Sequence, residues 1–182
     1  MSTIAPGVVG AATPRIRLLG ELTAESDSGS ARPQSGRVAA LLALLALEPG
    51  RVVSAERLMA QLWEDDAPQS GLSTLYVYIS RLRRQLRPLG IRLSTKPPGY
   101  SLNLSGDEID IVQFSAAVRR AEVAQAAGDP DGARIELDMA EALWCGEPFQ
   151  NAARCSDLTL EAQRLHRLRD RMVEIDARSL LD

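Results

Sequence analysis

Lysine and histidine are almost missing from this chain of 182 residues: Lys96 and His166 are the only ones. With one imidazole, histidine-based acid–base or metal chemistry has little to work with. Cys145 and Cys155 cannot complete a zinc site with a single histidine, since a closed tetrahedral site takes four nitrogen or sulfur ligands. The two thiols are enough for one bridge, but nothing else in the sequence asks for an oxidising compartment. The GxxxxGK[ST], GxGxxG and HExxH patterns and the nucleophile elbow are all absent, so no enzyme and no cofactor are expected. Residues 1–14 have no basic start ahead of their apolar residues and do not read as a secretion signal. The most apolar run, Val38–Leu47, is far short of the roughly 20 residues that span a bilayer. It is expected to be a core helix, and the chain is expected to be cytoplasmic with no membrane partner.

Acidic residues are missing from one stretch, and this absence is the most informative. Residues 67–106 carry 6 basic side chains and no acidic one, whereas residues 1–66 sum to −2 and residues 107–182 to −7. The net charge of −3 hides that block. A local cationic block on an acidic molecule is the footprint of a polyanion site.

Within the block, GLSTLYVYISRLRRQLR (71–87) reads as one amphipathic helix. At about 100° per residue, Leu72, Leu75, Ile79, Leu82 and Leu86 form one stripe, predicted to be buried. Ser73, Val77, Ser80, Arg81 and Arg84 face the other way, with Tyr76, Arg83 and Arg87 on a flank. Arginines and small hydroxyls without acids suit phosphates and base edges in a DNA major groove. A basic solvated helix has the same pattern, so the helix alone does not decide.

The chain around this helix has a definite order. Residues 1–14, rich in Gly, Ala, Pro and Thr, read as a disordered tail. Arg15–Leu19 alternates as a strand, and Leu22–Glu25 can return as a second. Ser26–Gly36 is a polar loop with room for a third strand that the pattern does not place. Helices are expected over Arg37–Leu47, ended by Pro49-Gly50, over Ala55–Trp63 with Ser54 as its cap, and over Ser70–Leu86. The acidic loop Glu64–Gln69 lies between the last two. Ile91–Leu104 alternates as a hairpin around Lys96-Pro97-Pro98-Gly99. Strands, three helices and a hairpin make a winged helix-turn-helix.

Ser105-Gly106-Asp107 reads as a domain boundary, after which the pattern is purely helical. Asp110 with Gln113 suggests an N-cap for Ile111–Ala127, and Asp129-Pro130 opens a helix to about Trp144. Ser156 is a candidate cap for Asp157–Leu181, with Leu158, Leu165, Leu168, Met172, Ile175 and Leu180 at helical spacing. AAGDPDGARIELDMAEALW has the grammar of a helix-pair repeat, and such pairs need neighbours to bury their faces. Only about one and a half pairs fit, so either the chain is cut short or its last helix packs back on the first domain. Trp63 and Trp144 are assigned to core packing. Tyr78 and Tyr100 are expected to bury their rings and can aim their hydroxyls at phosphates.

Taken in order, these words resemble the Streptomyces antibiotic regulatory protein family. Its members join an OmpR-type winged helix to a bacterial transcriptional activation domain. LYVYISRLRRQL is similar to the family's recognition helix, PPGYSLNL to its wing, EPGRVVSAERLMAQLWED to the second helix and the turn before it, and AAGDPDGA with LDMAEALWCGEPF to the activation domain. The resemblance covers about residues 15–182. It implies an α+β, OmpR-type winged helix-turn-helix over 15–105 and an all-α, TPR-like domain over 107–182.

It also implies residue roles. Ser73, Tyr76, Val77, Ser80, Arg81 and Arg84 would face the major groove, nearly the set that helical geometry selects. Lys96 would reach the minor groove from the wing tip, where the family usually has arginine. Arg37, Thr74 and Arg87 are the candidates for backbone phosphates. Glu64, Asp65 and Asp66 would meet RNA polymerase at a basic sigma-factor region. The implied protein is a transcriptional activator of a secondary-metabolite, antibiotic gene cluster, bound as a side-by-side dimer to direct repeats in promoter DNA.

The competing class is a helical-repeat interaction module whose basic helix binds a partner protein, although a scaffold has no need of a basic-tipped hairpin beside that helix. Salt separates the two. Binding to duplex DNA is expected to weaken with a log–log slope of about −0.9 per phosphate neutralised. A titration from low to high salt that leaves affinity nearly flat would favour the protein partner.

Overall fold

A computed structural model describes residues 15–64, Pro68 and 70–179. The expected tail at 1–14, Asp65, Asp66 and Leu180 lie outside the described residues. Strands β1 (Arg15–Arg17), β2 (Thr23–Ser26) and β3 (Gly29–Ala31) form an antiparallel meander. β3 is the strand that the sequence pattern could not place. Gly-Ser-Ala has no apolar alternation, and its pairing with β2 defines it. Helix α1 (Gly36–Ala46) starts at Ser35, whose hydroxyl accepts the Val38 N–H at 3.3 Å. Every residue from Val38 to Ala46 is buried, because α1 packs against α2, α3, α6 and the wing sheet.

A two-residue strand, β4 (Val53–Ser54), leads into α2 (Ala55–Trp63), where Ser54 accepts the Arg57 N–H at 3.1 Å. Then come α3 (Gly71–Leu86), a 3-10 turn (Arg87–Leu89) and the hairpin β5 (Arg92–Lys96) and β6 (Gly99–Asn103). The second sheet has the order β4-β6-β5, with Thr95 opposite Tyr100. Gly99 permits that sheet: a Cβ there would fall 1.9 Å from the Val53 carbonyl oxygen. Beyond it lie α4 (Asp110–Ala126), α5 (Pro130–Leu143) and α6 (Ser156–Ser179). Arg120–Glu136, Arg171–Glu122 and Arg134–Asp176 clip these three helices together. No described helix is long and apolar enough to cross a membrane.

Several local expectations are corrected. Leu72 is not on the buried stripe but 44% exposed, because the stripe of Leu75, Ile79, Leu82 and Leu86 continues back through Gly71. Asp110 does not cap α4: Ile109 is the N-cap, and Gln113 donates to the Asp107 carbonyl. Ser156 is already helical, and its hydroxyl donates to Gln61 Oε1. Cys145 and Cys155 are both free thiols, in keeping with a sequence that asks for no oxidising compartment.

The two halves of the chain share hydrogen bonds as well as contacts. The Asp110 carboxylate, at the start of α4, accepts the Leu18 N–H (2.8 Å) and the Leu19 N–H (2.9 Å). The carbonyls of Leu18, Leu19 and Gly20 accept the N–H groups of Phe149, Cys145 and Gln150. Asn151 Oδ1 accepts the Leu22 N–H at 2.8 Å. Gly20, at φ +135°, lies so close that a Cβ would meet the Cys145 backbone at 3.3 Å. At the far side, Arg57 of α2 pairs with Asp157 (2.8 Å), and Gln61 accepts the Asp157 N–H (2.9 Å) at the start of α6.

Burial pushes the Asp110 carboxyl up to about 6, against the lowering effect of the backbone N–H bonds from Leu19, Leu18 and Ile111. An acid raised in the folded state binds its proton more tightly there than in the unfolded chain. Its contribution to stability is therefore full below the ordinary value of 3.8 and is lost as pH rises through about 6. Denaturant unfolding from pH 4 to 7 is expected to show that fall, and Asp110→Asn to lack it. Asp110→Ala, which takes that acceptor from the buried N–H groups of Leu18, Leu19 and Ile111, is expected to cost about 2–4 kcal/mol at neutral pH.

Candidate nucleic-acid interface

α3 is held on one side and open on the other. Leu75, Ile79, Leu82 and Leu86 anchor it in the core, and Trp63 of α2 stacks on Tyr78 with ring centroids 6.1 Å apart. Those contacts set the angle between the two helices. The opposite face carries Ser73, Tyr76, Val77, Ser80, Arg81 and Arg84, all exposed. Tyr76 is 53% and Val77 47% exposed. Ser73 donates its hydroxyl to the Ser70 carbonyl at 2.8 Å, which leaves its oxygen as an acceptor. The candidate base-contacting residues thus share one open surface.

The wing stands beside this face. Lys96 ends β5 at the hairpin tip and is exposed. Tyr100 is buried beneath the hairpin, its hydroxyl pushed above the ordinary value first by burial and then by the neighbouring Tyr76. Arg83 differs from the other arginines of α3. It is half-buried, its Nε donates to the Leu93 carbonyl at 2.9 Å, and its Nη2 donates to Thr95 Oγ1.

The absence of acidic residues from 67–106 separates this surface from the rest of the molecule. Arg17, Arg32, Arg51, Arg57, Arg120, Arg134, Arg164 and Arg171 all have carboxylate partners. Among the described residues no carboxylate lies within 4.0 Å of Arg81, Arg84, Arg87, Arg92 or Lys96. Arg84, Arg87 and Arg92 line an open cleft of about 600 Å³ with Arg83, Pro88 and Gly90. Sequence reasoning counted Arg92 in the cationic block and gave it no role. It is five residues beyond Arg87, and the turn at Gly90 brings the two to one cleft.

Other candidates lie apart from this surface or are not on its open side. Thr74 is half-buried on α3. Arg37 is exposed in the first turn of α1, an end tied to the helical half by the Ala153 N–H to Gly36 carbonyl bond of 2.8 Å. Glu64 is exposed just after α2 at a φ of 46°, while Asp65 and Asp66 lie outside the described residues. Among the described residues no group of three His, Cys, Asp or Glu side chains is arranged to hold a metal ion.

Comparisons with known proteins follow the same division of the chain. Residues 33–102 match the family model described as transcriptional regulatory protein, C terminal, and residues 109–182 match the bacterial transcriptional activator domain. Regulatory protein AfsR of Streptomyces coelicolor is 35% identical over 134 residues, which cover 73% of this chain and 13% of that protein. Regulatory protein DnrI of Streptomyces peucetius is 29% identical over 164 residues, 85% of this chain and 60% of that protein. The chain therefore spans less than two thirds of the length of either relative. A solved structure of Mycobacterium tuberculosis EmbR in complex with a low affinity phosphopeptide superposes with a TM-score of 0.70 at 26% identity. It covers 91% of this chain and 43% of that one.

Proposed function

The chain belongs to the Streptomyces antibiotic regulatory protein family of transcriptional activators, a winged helix followed by a bacterial transcriptional activator domain, and on that premise we propose that α3 reads promoter DNA in the major groove. The observation that carries the reading is the row of exposed cations on α3 and the wing, drawn from a stretch without one acidic residue in a chain that is otherwise net acidic. An unpaired guanidinium gains most from a phosphate or a guanine edge. In this reading Arg81 and Arg84 contact base edges, Ser73, Tyr76, Val77 and Ser80 fill the groove around them, and Arg87 and Lys96 take backbone phosphates. Winged-helix half-sites follow the pitch of the groove, so two copies lie side by side on direct repeats about one helical turn apart. By family resemblance the regulated genes are those of an antibiotic cluster.

A duplex selected by the wild-type chain from a random pool supplies the test. Arg81→Ala and Arg84→Ala are each expected to weaken its binding about 10- to 100-fold, the worth of one good arginine–guanine pair. The circular dichroism spectrum should not change, since both side chains are exposed. Wild-type affinity in both variants would remove α3 from the interface.

The acidic residues Glu64, Asp65 and Asp66 supply the proposed contact with a basic sigma-factor region of RNA polymerase. Asp65→Ala with Asp66→Ala is expected to keep DNA affinity and to lower transcript yield several-fold in a reconstituted reaction. An unchanged yield would refute that role.

A further inference from the structure

Arg83 is the one arginine of α3 that does not point outward, and its three contacts all lie on the hairpin. Nε donates to the Leu93 carbonyl at 2.9 Å, Nη2 donates to Thr95 Oγ1, and the guanidinium carbon lies 5.9 Å from the centre of the Tyr100 ring. Leu93 and Thr95 belong to β5, the edge strand of the wing sheet, and Tyr100 stands opposite Thr95 on β6. One side chain of the recognition helix therefore grips both strands of the wing. An edge strand turns backbone acceptors away from its sheet, and here one of them is occupied from the helix. The planar fork of arginine reaches two acceptors at a fixed separation and stacks on a ring; an ammonium does neither.

We propose that Arg83 is a positioning residue: it fastens the wing to α3, so that Lys96 meets the DNA backbone at a fixed offset from the residues on the open face of the helix. The proposal rests on the DNA-binding reading for its effect on affinity, but the fastening itself is a property of the free protein. With donors committed to Leu93 and Thr95, Arg83 acts through the wing and not as one more charge on DNA. Lys96 lies one residue past Thr95, so loosening that strand moves the tip directly.

The test uses the full chain with Arg83→Lys, Arg83→Gln, Lys96→Ala and the double variant Arg83→Gln with Lys96→Ala. Thr95→Val removes one of the bonds while keeping Arg83, and it carries the test if the Arg83 variants fold poorly. In the free protein, amide hydrogen exchange over Leu93–Lys96 is expected to quicken in both Arg83 variants, and to a lesser degree in Thr95→Val. Unchanged exchange would overturn the fastening whatever happens on DNA. On the selected duplex, both Arg83 variants are expected to weaken binding by about tenfold, equivalent to about 1.4 kcal/mol. The double variant should bind no worse than the weaker of its two parents. Lysine that restores wild-type affinity, or losses that multiply in the double variant, would make Arg83 an independent phosphate contact and overturn the proposal. If Arg81→Ala and Arg84→Ala also leave binding unchanged, the DNA-binding reading has failed, and the exchange result still decides the role of Arg83.

Discussion

The backbone of residues 18–22 has its hydrogen-bond partners in the second half of the chain. Leu18, Leu19 and Leu22 are fully buried, and a buried N–H or C=O without a partner costs as much as a lost hydrogen bond. Asp110, Asn151 and the N–H groups of Cys145, Phe149 and Gln150 satisfy this segment. The N-terminal meander and the helical half therefore cannot separate without exposing both sets of groups. A buried carboxylate is an expensive acceptor, as the raised Asp110 shows, and it is tolerated because it meets two backbone donors of the opposing segment.

That attachment bears on the cationic surface of α3 and the wing through α1 and α2. α1 is apolar on every side because the winged helix and α6 both pack against it. α2 then meets the helical half through Arg57 and Gln61 at the start of α6, and meets α3 through the Trp63–Tyr78 stack. α3 thus sits on a frame to which the helical half contributes, held by apolar packing and a few geometrically specific polar contacts. The exposed ion pairs around α4, α5 and α6 add little each and serve mainly to match charge. Arg81, Arg84, Arg87, Arg92 and Lys96 instead come from a stretch with no acidic residue, which sets that surface apart.

Much of this was legible in the residues alone. Period and punctuation placed α1, α2, α3 and the wing hairpin within about a residue, because Ser54, Pro49-Gly50 and Gly90 act through local backbone chemistry. The split in charge was also visible as a count. Less legible were features whose partner is distant in sequence. Leu72 satisfies the helical period but is exposed, since Gly71 is the residue that faces Met59 and Pro68. Asp110 has the spacing of a cap, yet besides the adjacent Ile111 N–H its partners are 91 and 92 residues away.

Local order and charge were therefore determined by the sequence: which segments are helices, where they stop, and that one stretch is cationic without compensation. The tertiary structure decided which cations remain available. Arg83 and Arg84 are adjacent and chemically identical; the helical period sets Arg83 on a flank but does not say what meets it there. Only the folded hairpin, by presenting the Leu93 carbonyl, Thr95 and the Tyr100 ring to one flank of α3, commits Arg83 to the protein and leaves Arg84 exposed.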